Sequence, residues 1–325
     1  VKNEKAKRAP NFFIVGAPKC GTTSMYEYLR QHPDVFMPYD KDRFWKAKEP
    51  HFYASDLDIK DRVRINNLDE YTELFQHAKN ESRIGESSAL YLYSTAAVEQ
   101  ICQLALDTDS DIKIVIMLRP PVEMIQSWHR DCIRWGHEDI VSLQKAVEAE
   151  PDRKKGKRIP KYSEYPSMLL YSEMGKYLRH VQQYINSFGS DNVHIILLED
   201  LDLEPKATYQ ALLEFLGVDS TFVPDFEIHN QASKMDANDV GVQQLKMFLL
   251  NNTRFVYPLF KKLSTSQQQF IRSLPKYLLP KKNKESTNQR FIEKLGTSYK
   301  SEVEQLGKIL NRDLTHWQNQ VLSEK

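Results

Sequence analysis

The segment Asn11-Phe12-Phe13-Ile14-Val15-Gly16 sets the strongest constraint on the fold, because this apolar run stops on a glycine and runs straight into Ala17-Pro18-Lys19-Cys20-Gly21-Thr22-Thr23-Ser24. Met25, Tyr28 and Leu29 then recur at helical spacing up to His32-Pro33, where the residue before proline disfavours further helix. A strand, a glycine-bearing loop and a helix in that order converge backbone N–H groups and the positive end of a helix dipole on one spot. The loop reads as an anion cradle. Gly21 allows close approach of the backbone, Thr22, Thr23 and Ser24 offer hydroxyls and first-turn amides, and Lys19 adds a cation beside Cys20.

The same alternation continues along the chain. Residues 112–118 form a β-branched strand followed by a helix over 122–133; a helix over 172–188, a strand over 193–198 and a helix over 205–216 ending at Gly217 follow. Strands alternating with helices imply a parallel sheet with both faces covered. The expected fold is P-loop-like, a three-layer α/β/α arrangement with a central parallel sheet and a helical C-terminal extension. A chain of 325 residues accommodates this as a tail, 1–10, and one domain, 11–325, with a core over about 11–230 and an extension over about 231–325. In the extension, residues 243–250, 267–274 and 291–310 read as helices, and Lys281-Lys282-Asn283-Lys284-Glu285-Ser286 as an exposed link.

Composition narrows the partners. Lys and Arg number 45 against 44 for Asp and Glu, so a net charge of +1 gives no broad field for nucleic acid or an anionic membrane. Anion binding has to be local. No apolar run approaches the roughly 20 residues of a membrane-spanning helix. Three cysteines, Cys20, Cys102 and Cys132, are too few and odd in number for a disulfide framework, which favours a reducing, cytoplasmic setting. The chain starts on Val1 rather than methionine and reads as a trimmed protein or a domain of a longer one.

The Gly16 to Gly21 spacing imitates a Walker A loop, but Thr22 stands where that motif has its lysine, and the cation has moved to Lys19. A sulfuryl group carries less charge than a phosphoryl group, so one ammonium on the bridging oxygen suits its transfer and no metal is expected. A second anion site is set by Arg119-Pro120-Pro121-Val122-Glu123, with Ser127 eight residues after Arg119, about two helical turns on. In Lys48-Glu49-Pro50-His51-Phe52-Tyr53 a carboxylate and an imidazole lie two residues apart in an extended segment that can aim both one way.

With these residues the chain resembles the sulfotransferases that use 3′-phosphoadenosine 5′-phosphosulfate (PAPS). Pro18 to Ser24 is similar to the family's 5′-phosphosulfate loop, and Arg119 to Ser127 to its 3′-phosphate motif, departing at Pro120 where relatives commonly carry aspartate. Lys48 to Tyr53 resembles the motif of heparan-sulfate-type and many bacterial members. The resemblance implies transfer of a sulfuryl group from PAPS to a hydroxyl or amine, with adenosine 3′,5′-bisphosphate released. Lys19 would contact the departing phosphate, Glu49 would act as base with His51 as helper, and His51 as base is the alternative. Lys19, Cys20, Gly21, Thr22, Thr23, Ser24, Arg119 and Ser127 would hold the donor.

Gly85-Glu86-Ser87-Ser88-Ala89-Leu90-Tyr91 resembles the family segment lining the acceptor pocket, placing Ser87 and Ser88 with Glu49 and His51 against the acceptor; glycan-acting relatives often carry lysine where Ser87 falls. Read without the resemblance, it is a polar turn before a helix. The implied acceptor is a small molecule, such as a natural-product hydroxyl of secondary metabolism, or a carbohydrate. Arg153, Lys154, Lys155, Lys157, Arg158 and Lys161, after a helix over 138–150, are either a solvated surface or a lid over an anionic ligand, and Lys281, Lys282 and Lys284 could reach the 3′-phosphate. Two other classes stand beside this reading: a small-molecule P-loop kinase, and a non-catalytic nucleotide-binding module of a larger synthase.

Overall fold

The run Phe12–Gly16 (β1) is the middle strand of a five-stranded sheet, flanked by Arg83–Ser87 (β3) on one side and Lys113–Leu118 (β4) on the other. Val35–Phe36 (β2) and Val193–Leu197 (β5) are the edges, giving the order β2-β3-β1-β4-β5 with every pairing parallel. The structure is a computed structural model that describes residues 9–226 and 289–318. All five residues of β1 and all but the first of β4 are buried, as strands covered on both faces must be. The architecture is the expected P-loop-like α/β one.

Between the strands run Thr22–Leu29 (α1), Phe44–Lys48 (α2), Leu68–Glu73 (α3), Thr95–Thr108 (α4) and Pro121–Arg134 (α5). Then come Leu143–Glu148 (α6), Glu150–Arg153 (α7), Tyr171–Met174 (α8), Leu178–Phe188 (α9), Leu198–Leu203 (α10) and Pro205–Leu216 (α11). Gln289–Ser298 (α12) and Lys300–Leu310 (α13) close the described chain. α12 packs on α5 and α13 on α9. Trp317 beyond them is buried and donates its indole N–H to Glu199, while Arg312 forks onto Asp200 at 2.7 and 3.0 Å. The last helices are thereby fastened to α10, directly after β5.

Several expectations need correction. The helix expected over 172–188 is two, α8 and α9, and the one over 291–310 is likewise two, α12 and α13, with Tyr299 between them donating to the Ser172 carbonyl at 2.9 Å. The helix over 138–150 begins late, because the Glu138 carboxylate is buried and accepts the N–H groups of Asp139 and Ile140 at 2.9 Å each. Arg153 leaves the basic surface group: it is buried, bonds Glu138 at 2.8 Å and donates to the Leu169 carbonyl. Gly85 to Ser87, read as pocket lining or a turn, belong to the interior strand β3. The helices expected over 243–250 and 267–274, and Lys281, Lys282 and Lys284, lie outside the described residues.

Strand order fixes where a ligand can bind. Chain connections leave β1 toward β2 on one side and return to β4 on the other, so a crevice opens at the carboxyl ends of β1, β3 and β4. Gly16, Ser87 and Leu118 end those strands side by side.

Candidate active site

The loop after β1 is shaped by two glycines. Gly21, the residue before α1, takes φ 86°, and a Cβ there would lie 2.8 Å from Leu198. Gly16 has φ 143°, and a Cβ on it would collide with the Ala89 carbonyl, so the loop lies directly against the turn after β3. Gly21 has no side chain to cap α1, so the positive end of that helix, which starts at Thr22, lies at the loop without a side-chain cap. Cys20 points inward; burial pushes its thiol up to about 12, which makes it a packing group.

Lys19 itself adopts a left-handed backbone, φ 63°, and its ammonium meets Asp131 on α5 at 2.6 Å. Arg119, at the end of β4, donates to the Lys19 carbonyl at 3.2 Å and pairs with Glu123 at 2.5 Å. Its Nε is buried and has no hydrogen-bond partner among the described residues. Glu123, Ser127 and Asp131 are spaced by four on α5, and so share one face. Ser127 is buried between the two acids. Two cations, the N-terminal turn of α1 and an unpartnered guanidinium N–H therefore line one crevice, and these groups fit a ligand with anions at both ends, as PAPS has.

Glu49 and His51 lie on the other side of Gly16. α2 ends at Lys48, whose ammonium is fully buried and lies 2.6 Å from the Glu49 carboxylate. The Ala89 N–H also bonds that carboxylate. Burial alone would raise the Glu49 pKa, but the Lys48 ammonium, His51 and these hydrogen bonds outweigh it and hold the carboxyl below its ordinary value. His51 Nε2 is 3.7 Å from Glu49, and burial, opposed by Glu49, lowers the imidazole to about 4. The ring is neutral at physiological pH. Like Lys19, His51 takes a left-handed backbone, φ 50°, a conformation that costs roughly 1–3 kcal/mol and collects at functional sites.

Aromatic rings join the two sides. The His51 ring meets Tyr165 edge-on at 6.2 Å, and Tyr165 meets Trp128 of α5 at 5.9 Å, three residues before the Asp131 that holds Lys19. Ser87 and Ser88, expected against the acceptor, are both fully buried; the Ser88 hydroxyl accepts the His51 N–H at 3.0 Å. Among the described residues no group of three or more His, Cys, Asp or Glu is placed to hold a metal ion, and no helix is long and apolar enough to cross a membrane.

Sequence reasoning did not find Asp131, Tyr165 or the role of Lys48. Asp131 carried a usable signal, one helical turn after Ser127 on the face opened by Glu123; Tyr165 carried none, since it arrives from a loop 116 residues after Glu49.

A family model described as "Sulfotransferase domain" matches residues 9–307. Carbohydrate sulfotransferase 15 of Mus musculus is 24% identical over 263 residues, covering 67% of this chain and 45% of the relative. The bifunctional heparan sulfate N-deacetylase/N-sulfotransferase 1 of Mus musculus is 26% identical over 226 residues, covering 68% and 23%. The chain thus spans less than half the length of these two curated relatives. A solved sulfotransferase from Alicyclobacillus acidocaldarius is similar over 96% of this chain and 99% of its own, with a TM-score of 0.66 and 25% identity. The kinase alternative loses its footing with these matches, as Thr22 at the first position of α1 already implied. With the family model spanning nearly the whole chain and a parallel sheet that puts the glycine loop after β1 at its switch point, the chain belongs to the sulfotransferase domain family.

Proposed function

We propose that this chain transfers a sulfuryl group from PAPS to a hydroxyl or amine of a carbohydrate or small-molecule acceptor. The observation that carries the reading is the joint placement of Lys19 and Arg119 on one flank of Gly16 and of Glu49 on the other, with Ala89 touching both Gly16 and Glu49. PAPS, when bound, supplies an activated sulfur whose bridging oxygen leaves with the 5′-phosphate.

The geometry supports a role for each residue. First-turn amides of α1, with Thr22, Thr23 and Ser24, receive the 5′ anion, and Arg119 with Ser127 receives the 3′-phosphate. Lys19 exchanges Asp131 for the leaving oxygen and stabilises the charge that develops there. Glu49, ionised at neutral pH, accepts the acceptor's proton as the acceptor oxygen or nitrogen bonds to sulfur and the bridging S–O bond breaks. His51, neutral and 3.7 Å from Glu49, orients Glu49 or the acceptor, and His51 as base is the alternative. The names of the relatives, carbohydrate sulfotransferase and heparan sulfate N-sulfotransferase, support a carbohydrate acceptor.

The test is a panel of neutral and anionic oligosaccharides, phenols and amines incubated with labelled PAPS and followed by mass spectrometry. Label transferred to a member of the panel together with release of adenosine 3′,5′-bisphosphate is the expected result; label transfer from ATP instead would overturn the reading.

A further inference from the structure

Glu86 lies on the interior strand β3, is fully buried, and belongs to neither the donor cradle nor the base. Its Oε2 accepts the hydroxyls of Tyr71 at 2.8 Å and Tyr91 at 3.0 Å, and the Ser88 hydroxyl lies close enough to the carboxyl to favour its charged form. Each of these three groups holds one residue of the segment after Glu49. Ser88 Oγ accepts the His51 N–H at 3.0 Å. The Tyr71 ring stacks on Phe52, centroids 4.2 Å apart and planes at 10°. The Tyr91 hydroxyl accepts the Tyr53 N–H at 3.1 Å. Three consecutive residues, 51, 52 and 53, are thus referred through one intermediary each to a single carboxyl.

The same carboxyl fixes the far contact of Glu49. The Tyr91 N–H donates to the Ser88 carbonyl at 3.0 Å, closing the turn that contains Ala89, and the Ala89 N–H holds the Glu49 carboxylate. An interior strand that carries a carboxyl is an unusual use of a core position, since burial of an acid is costly, and among the described residues Glu86 Oε1 has no hydrogen-bond partner to offset it. A backbone segment with a left-handed residue at His51 also needs outside support to hold its shape.

We propose that Glu86 is a positioning residue for the base: through Ser88, Tyr71 and Tyr91 it sets the conformation of residues 51–53 and of the turn at Ala89, and so aims the Glu49 carboxylate at the acceptor. This rests on the reading of Glu49 as base. The carboxyl touches neither donor nor acceptor. Misplacement of a reacting group by an ångström costs about 10²-fold in rate, which is the scale of effect expected.

The experiment uses two readouts on the whole chain. One is PAPS turnover with water as acceptor, followed as adenosine 3′,5′-bisphosphate released, beside calorimetric titration of that bisphosphate. The other is NMR titration of the His51 imidazole, assigned with a His51→Gln variant, which stands near 4 in the intact segment. Glu86→Ala is expected to lower kcat by about 10²-fold with bisphosphate affinity kept within about twofold, and to move the His51 titration toward the ordinary value of about 6.5. Glu86→Gln retains an oxygen acceptor for Tyr71 and Tyr91 and is expected to lose no more than about fivefold, with His51 still near its low value. Should Glu86→Ala fail to fold, Ser88→Ala and Tyr91→Phe each remove one hydroxyl, and each is expected to lower kcat without weakening bisphosphate binding.

Glu86→Ala, or both hydroxyl variants, keeping normal kcat and an unshifted His51 would overturn the proposal, as would bisphosphate affinity falling in step with kcat. A Glu49→Gln control separates the two claims. If Glu49→Gln abolishes turnover while the Glu86, Ser88 and Tyr91 variants stay active, the positioning role alone fails; if Glu49→Gln keeps its rate, the base assignment fails and the proposal with it.

Discussion

The two flanks of Gly16 are held in place by opposite means. On the donor side the cations are paired with acids that water reaches: Lys19 and Asp131 are 24% and 27% exposed, Arg119 and Glu123 22% and 38%. On the base side Lys48, Glu86 and Ser88 are fully buried and joined by hydrogen bonds to one another's neighbours. Partly solvated ion pairs are worth about 0–1 kcal/mol and can be exchanged for a ligand anion. Buried side chains tied to one another by hydrogen bonds rearrange only at high cost. The contrast suits a site whose donor must enter and leave while its base stays aimed.

Substitutions can break or sharpen that contrast. Lys19→Ala strikes the one donor-side group that faces developing charge, and kcat is expected to fall by about 10³-fold or more, measured with labelled PAPS on protein shown by circular dichroism to be folded. A rate within tenfold of the intact protein would remove Lys19 from the chemistry. Arg119→Ala should act on binding: affinity for adenosine 3′,5′-bisphosphate is expected to drop about 10- to 100-fold by calorimetry, with a smaller change in kcat.

Lys48→Met probes the buried side through pH. Glu49 works ionised, so activity is present above its pKa and lost as pH falls through it. With its pKa held below the ordinary value, the acid limb of the kcat profile of the intact protein should lie below the usual carboxylate range. Removing the Lys48 ammonium leaves burial unopposed by its strongest partner, and the limb is expected to move up by about one pH unit or more. An unmoved limb would show that another group titrates there. The smallest effect belongs to Asp131→Asn, which frees Lys19 from its resting partner: bisphosphate binding is expected to tighten about two- to fivefold, most clearly at low salt.

Much of this contrast was legible in the sequence on the donor side and little on the base side. β1, the glycine loop and α1 announce themselves because an apolar strand, Gly21 and a run of hydroxyl residues are local signals, and β4 with α5 repeats them around Arg119 and Pro121. β3 was hidden by its own chemistry. Arg83-Ile84-Gly85-Glu86-Ser87 has one apolar residue of strand type, and its Glu86 carboxylate accepts the hydroxyls of Tyr71 and Tyr91 at separations of 15 and 5 residues, which no periodicity encodes. β2, two residues long, is too short for any alternation to show. Lys19 and Arg119 could be named from spacing, whereas their partners Asp131 and Glu123 become meaningful only once α5 is seen to turn one face to the crevice.

Calorimetric titration with adenosine 3′,5′-bisphosphate, against ATP with Mg²⁺, tests the central claim most directly. Saturable 1:1 binding of the bisphosphate in a metal-free buffer, weakened in both Lys19→Ala and Arg119→Ala, is the predicted result. Binding of ATP with Mg²⁺ alone, or bisphosphate binding indifferent to both substitutions, would contradict the assignment of this crevice to the sulfuryl donor.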